Sequence, residues 1–248
     1  MQFGLGGIAL GTALALRGRV VRGLVVAFPA AWLTWVVRAH LLGITVLAAA
    51  IAYIGGRTAR RSEGERSLLK PLGMIIVALL AVFAVTQGAR ALGIQQLSLD
   101  SIQSELEATS ASTAQGHSSF SHTVSLSPVY LPQDAITVLL RPFPWEVESA
   151  NQILASLEGI ALIGFMIVRR RSLASSLRNI RIRPFLLYCW TLVLMYVLLF
   201  QAFGNFGLLV RQRSIVLPAL YVLLCLDTGT AATPPKPVER VGTAARRD

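Results

Sequence analysis

The 248 residues are 54% hydrophobic and only 14% charged, with a mean hydropathy of +0.62, which excludes an ordinary water-soluble domain and makes a bilayer the expected solvent. The formal charge of +11 would fit a nucleic-acid partner if the basic residues shared one face. They lie instead in short clusters between apolar runs, the pattern of membrane topology, so no nucleic acid is expected.

Taken in chain order, the apolar runs are 3–16, 20–37, 41–56, 72–89, 153–168, 185–203 and 215–226. A spanning helix needs about 20 such residues. The first run reaches that length if Arg17 and Arg19 snorkel to the headgroups. The last needs either residues 207–210 or a re-entrant path. The fold expected is therefore all-α, a polytopic transmembrane helix bundle of six or seven spans. The uncharged stretch before Arg17 lacks the basic leader and cleavage site of a secretory signal, so it is read as a retained span. Cys189 and Cys225 lie inside apolar runs, where neither a structural disulfide nor a thiolate metal site is expected.

Alternating the connections places all but five of the 23 Lys and Arg on one side of the membrane. The positive-inside rule makes that side cytoplasmic. The other side holds Arg38, Arg90, Arg141, Arg211 and Arg213, with the acidic residues Asp100, Glu105, Glu107, Asp134, Glu146 and Glu148. The chain thus divides into membrane helices over 1–94, one long extracytoplasmic loop over 95–150, further membrane helices over 151–226 and a disordered cytoplasmic tail over 227–248. The expected location is the plasma membrane.

Within the loop, Ser98 is a fair cap and Leu99, Ile102 and Leu106 are spaced three and four apart, which predicts a short amphipathic helix over 97–109. Residues 110–127, rich in Ser, Thr, Gly and His, read as a flexible arm. Residues 131–140 turn apolar again. Two prolines with Phe143 and Trp145 then prescribe a rigid extended turn at 141–146, leading to a helix from near Ser149.

The arginines left outside need a reason to be there. Arg38, Arg141, Arg211 and Arg213 fall in or beside expected irregular backbone, and the planar fork of Arg matches phosphate oxygens, so together they could hold a lipid-linked diphosphate. Each could equally bind a lipid headgroup or pair with Glu146, Glu148 or Glu158. Glu158, about one and a half turns into its span, should face the bundle with a partner, Arg90 being the nearest candidate. His40 or Glu158 could take a proton from an acceptor hydroxyl. His117 and His122 lack the further ligands a metal needs. No Walker loop, dinucleotide fingerprint, DxD pair or nucleophile elbow is present, so no metal and no cofactor is expected.

The motifs RPFPWE at 141–146, ASLEG at 155–159 and NFGLLVRQRSIVLP at 205–218 resemble the C-terminal half of actinobacterial polytopic proteins of cell-surface polysaccharide clusters. Those are similar in design to O-antigen polymerases and ligases, and the motifs cover about a third of the chain. WVVRAH at 35–40 resembles a segment in which the family has Arg-Pro-His, with Ala39 here in place of the proline. The resemblance implies a role in envelope polysaccharide assembly. The partners it implies are membrane lipid, a polyprenyl-diphosphate-linked glycan and other envelope-assembly proteins. Two readings follow. In one the chain is a membrane glycosyltransferase or polymerase acting at the outer face. Its substrate-binding residues would be Arg38, Arg141, Arg211 and Arg213, and its catalytic residues His40 and Glu158. In the other it is a non-catalytic scaffold or a fragment of a larger polytopic protein. A transporter fits less well, because the central spans lack paired helix breaks.

Overall fold

The computed structural model describes residues 2–59, 82, 86, 99–114, 119–120, 124–125 and 127–226. The 72–89 run, of which only Val82 and Thr86 are described, lies largely outside them. So do Arg90, His117, His122, the side chain of His40 and the tail from 227.

The described chain is helical, with no strand and a single isolated bridge between Ser119 and Asn205. The helices are α1 (Gln2–Leu16), α2 (Val20–Ala59), α3 (Leu99–Thr113), α4 (Leu131–Leu140), α5 (Ala150–Val168), α6 (Arg170–Arg178), α7 (Pro184–Phe200) and α8 (Phe206–Leu224). Three of them hold segments long and apolar enough to cross a membrane: Val20–Arg38, Ala150–Val168 and Phe206–Leu224. Phe3–Leu16, Leu41–Gly55, Leu131–Leu140 and Pro184–Phe200 are apolar but shorter.

The two runs expected at 20–37 and 41–56 form the two halves of α2, which breaks at Arg38 (φ −157°, ψ 90°). Gly18, at φ +85°, turns α1 back onto the first half. That hairpin is a seam of small residues. A Cβ on Gly11 would sit 2.6 Å from the Gly23 carbonyl oxygen, and Gly4 and Gly7 meet Thr34 and Ala30 as closely. Such seams let membrane helices approach without the water-driven burial that soluble helices use.

The core sits around α7, which packs against α1, α2, α4 and α8. Leu186, Tyr188, Cys189, Leu192, Val193, Tyr196, Val197 and Phe200 are all buried, so α7 is apolar and covered over most of its surface, with Leu194 left exposed. The contrast is at the rim. On the first half of α2, Val21, Leu24, Val25, Phe28, Trp32 and Val36 are exposed, as are Ile153, Leu154, Leu157 and Ile160 on α5. Apolar exposure on this scale fits a lipid-facing surface.

The expected loop is more structured than its composition indicates. α3 continues four residues past Thr109, and the arm is strapped rather than loose at its described residues. Phe120 N–H donates to the Gly204 carbonyl at 3.0 Å. Ser125 N–H donates to the buried Gln201 side chain at 3.3 Å, and Gln103 Nε2 donates to the Val124 carbonyl at 2.9 Å. Leu106, Val124 and Ala202 form a small satellite core beneath the strap. Hydrogen bonds to an existing corner, which composition does not report, hold this segment. Residues 131–140 form α4, whose Val138 and Leu139 join the core with α7.

Candidate functional site

The α7–α8 corner positions the candidate residues. Asn205 caps α8, its Oδ1 accepting from the N–H groups of Gly207 at 2.9 Å and Leu208 at 3.4 Å, the standard way to satisfy orphan donors at a helix start. Because α8 begins at Phe206, Arg211 and Arg213 lie inside a continuous helix. The expectation that they flank irregular backbone is therefore corrected: the asparagine cap starts the helix early and absorbs residues 207–210. Two residues apart on a helix means about 200° of rotation. Arg211 is accordingly exposed while Arg213 is 0% exposed.

Arg141 ends α4. Pro142 and Pro144 cannot continue the helix, and Arg141 takes an extended conformation before a 3-10 turn at Pro144–Glu146. That turn folds Glu146 back onto it. Glu146 Oε2 accepts from Arg141 Nε at 3.1 Å and from Phe143 N–H at 2.9 Å, while Oε1 takes Arg141 Nη2 in an ion pair. Partial burial raises the Glu146 pKa, but the Arg141 hydrogen bond, the Phe143 N–H and the Arg141 charge outweigh it and hold the carboxyl below its usual range. The guanidinium carbon lies 4.4 Å from the Phe120 ring centre and 5.2 Å from that of Phe206, two rings stacked 4.5 Å apart. Arg141 is thus held by charge on one side and by π faces on the other.

Arg213 completes the joint from α8, its Nη2 donating to the Arg141 carbonyl. Its Nε and Nη1 have no partner among the described residues, and neither does the buried hydroxyl of Tyr196. A guanidinium left so under-satisfied in an apolar setting is costly. Gly159 makes the close packing here possible: a Cβ there would sit 2.5 Å from the Leu140 carbonyl oxygen and 3.9 Å from Arg213 Nη1.

Of the residues singled out in the sequence, Arg141 and Arg213 are brought into direct contact, with Glu158 as an electrostatic neighbour of Arg213. Glu158 itself is exposed and makes no hydrogen bond or ion pair among the described residues. The expectation that it faces the bundle is corrected by its helical position: it stands beside Gly159, and Gly159 is the residue on the packed face of α5. Its expected partner Arg90 is outside the described residues. Arg38, at the break in α2, is half-buried and makes no hydrogen bond or ion pair among them. Arg211 makes no side-chain hydrogen bond among them. His40 lies in α2, its side chain undescribed.

Sequence reasoning missed Phe120, Phe206, Tyr196 and Asp134. Phe120 had a signal, being the only aromatic residue between 110 and 127. Asp134 is 2% exposed on α4, its Oδ2 has no partner among the described residues, and burial raises its pKa. Among the described residues no group of three His, Cys, Asp or Glu could hold a metal ion. Comparison with family models, with curated proteins and with solved structures gives no match.

Proposed function

We propose that the protein is a multi-pass component of cell-envelope polysaccharide assembly. In this reading it crosses the plasma membrane six or seven times with residues 95–150 outside. A polyprenyl-diphosphate-linked sugar binds at the outer end of α5 and α8. The observation that supports this reading best is the direct contact between Arg141 and Arg213, 72 residues apart in the chain, while Arg211 stands exposed on the other face of α8. It concentrates guanidinium charge where the polar loop meets the apolar helices.

The roles divide by what each group already holds. Arg141 is occupied by Glu146 and serves as a wall. Arg211, with its guanidinium unpartnered among the described residues, supplies the phosphate contacts, joined by Arg38 from the outer junction of α2. In a transfer step the bond from the sugar's anomeric carbon to the diphosphate oxygen breaks and one to the acceptor oxygen forms. The acceptor proton passes to Glu158 or His40, and the diphosphate leaves as an anion stabilised by arginine. Arg211→Ala, which disturbs no packed contact, is expected to shorten or abolish the surface glycan in cells while protein levels hold. An unchanged glycan chain length removes this reading.

A second reading has a specific observation behind it. Glu146 fully engages the Arg141 fork, as a structural joint would require, so the chain is in that case a non-catalytic scaffold or part of a larger polytopic protein. The two readings part on Arg211→Ala, which a scaffold tolerates.

A further inference from the structure

Between Glu158 and Asp227 the sequence contains no acidic residue, yet Arg169, Arg170, Arg171, Arg178, Arg181 and Arg183 fall within 15 positions of one another. The structure puts most of them on one surface. The inner face of α6 is small and polar: Ser172 and Ser176 are buried, and Ser176 Oγ accepts from Trp190 Nε1 at 3.0 Å. Arg169 Nε donates to the Leu224 carbonyl at 2.9 Å, tying the start of α6 to the end of α8. The opposite arc presents Arg170, Arg171, Leu177 and Arg178, and exposed Arg181, Ile182 and Arg183 follow. No ion pair reaches any of these arginines among the described residues, and the acidic groups described there lie on α3 to α5.

Six guanidinium groups with no counter-charge among the described residues leave room for one from outside. The apolar residues among them decide what kind. Val168 is 77% exposed and Ile182 73%, so the surface offers bare aliphatic groups at the level of the arginines, directly where the apolar α5 ends. A free phosphate or a nucleic acid uses the charges and leaves these groups in water. An anionic phospholipid uses both, its headgroup against the arginines and its acyl chains against the aliphatic residues. We propose that α6 and the turn after it form a binding surface for anionic phospholipid, at the end of the molecule opposite the Arg141 joint. This rests on α5 crossing a membrane, and on no glycan activity.

The test is native mass spectrometry of the detergent-solubilised full chain with phosphatidylglycerol or phosphatidylcholine added. Phosphatidylglycerol should be retained in preference. The preference should fall about fivefold for each arginine removed in Arg170→Gln, Arg171→Gln and Arg178→Gln, and it should weaken with salt in the unaltered chain. The triple lysine variant should keep it. Equal retention of the two lipids overturns the proposal, as does a preference abolished equally by inorganic phosphate or by an oligonucleotide. Solubility of the chain without detergent removes the membrane reading itself, which separates that failure from failure of the lipid site.

Discussion

Arginine does opposite work at the two ends of α5. At the start, Arg141 is enclosed by its own chain: Glu146 takes its fork, Phe120 and Phe206 cover its face, and Arg213 grips its carbonyl. At the far end, Arg170, Arg171 and Arg178 are exposed and unpaired among the described residues. One residue type thus builds a closed joint where acidic and aromatic partners enclose it, and an open surface where no acidic partner lies among the described residues. Composition alone registers both as basic clusters.

The comparison breaks most visibly at Glu146. Glu146→Ala removes three hydrogen bonds and leaves Arg141 without its counter-charge, which should destabilise the detergent-solubilised protein by about 3 kcal/mol in thermal unfolding. Arg178→Ala, at the open end, should move the same transition by less than about 0.5 kcal/mol. Next in size is Gly159→Ala. The added methyl meets a backbone carbonyl at 2.5 Å, forcing α5 away from α4 at a cost of about 2 kcal/mol, whereas Gly164→Ala on the same helix meets nothing within 4 Å and should be neutral or stabilising.

The smallest effect, and the one with a sign to check, concerns two acidic groups. The folded state raises the Asp134 pKa, so it binds the proton more tightly than the unfolded chain, and stability falls as pH rises from the unfolded value through the folded one. Asp134→Asn should therefore raise the Tm at pH 7, with the gain disappearing below the usual carboxylate range. Glu146 runs the other way. Its folded pKa is lowered, so its contribution is present above the unfolded value and is lost as pH falls through the folded one. A Tm profile in which the Asp134→Asn gain grows at low pH contradicts this assignment.

Hydrophobic runs made most of the helices legible, because a segment that avoids water needs only a long apolar stretch to declare itself. The break at Arg38 and the helix start near Ser149 were legible for the same reason: charge and capping residues interrupt the pattern locally. Gln152, for instance, accepts from the Glu148 and Ser149 N–H groups as a cap should. The strap at Phe120 and Ser125 was not legible. Its order comes from Gly204 and Gln201, some 80 residues on, and Ser-rich composition carries no record of such a partner. The Arg141–Arg213 contact was half legible: their place outside the cytoplasmic excess of positive charge marked both residues as unusual, but not that one would donate to the other's carbonyl. α6 was hidden by its length, nine residues of mixed Arg and Ser that read as a connection.

Cysteine labelling tests the central claim, that the closed joint and the open basic surface face opposite sides of one membrane. In a Cys225→Ser background, which leaves only the buried Cys189, cysteine is placed at the exposed positions Ala111 on α3 and Ala174 on α6. A membrane-impermeant maleimide applied to intact cells should label Ala111→Cys at once and Ala174→Cys only after permeabilisation. Labelling of both from outside, or of Ala174→Cys alone, contradicts the account.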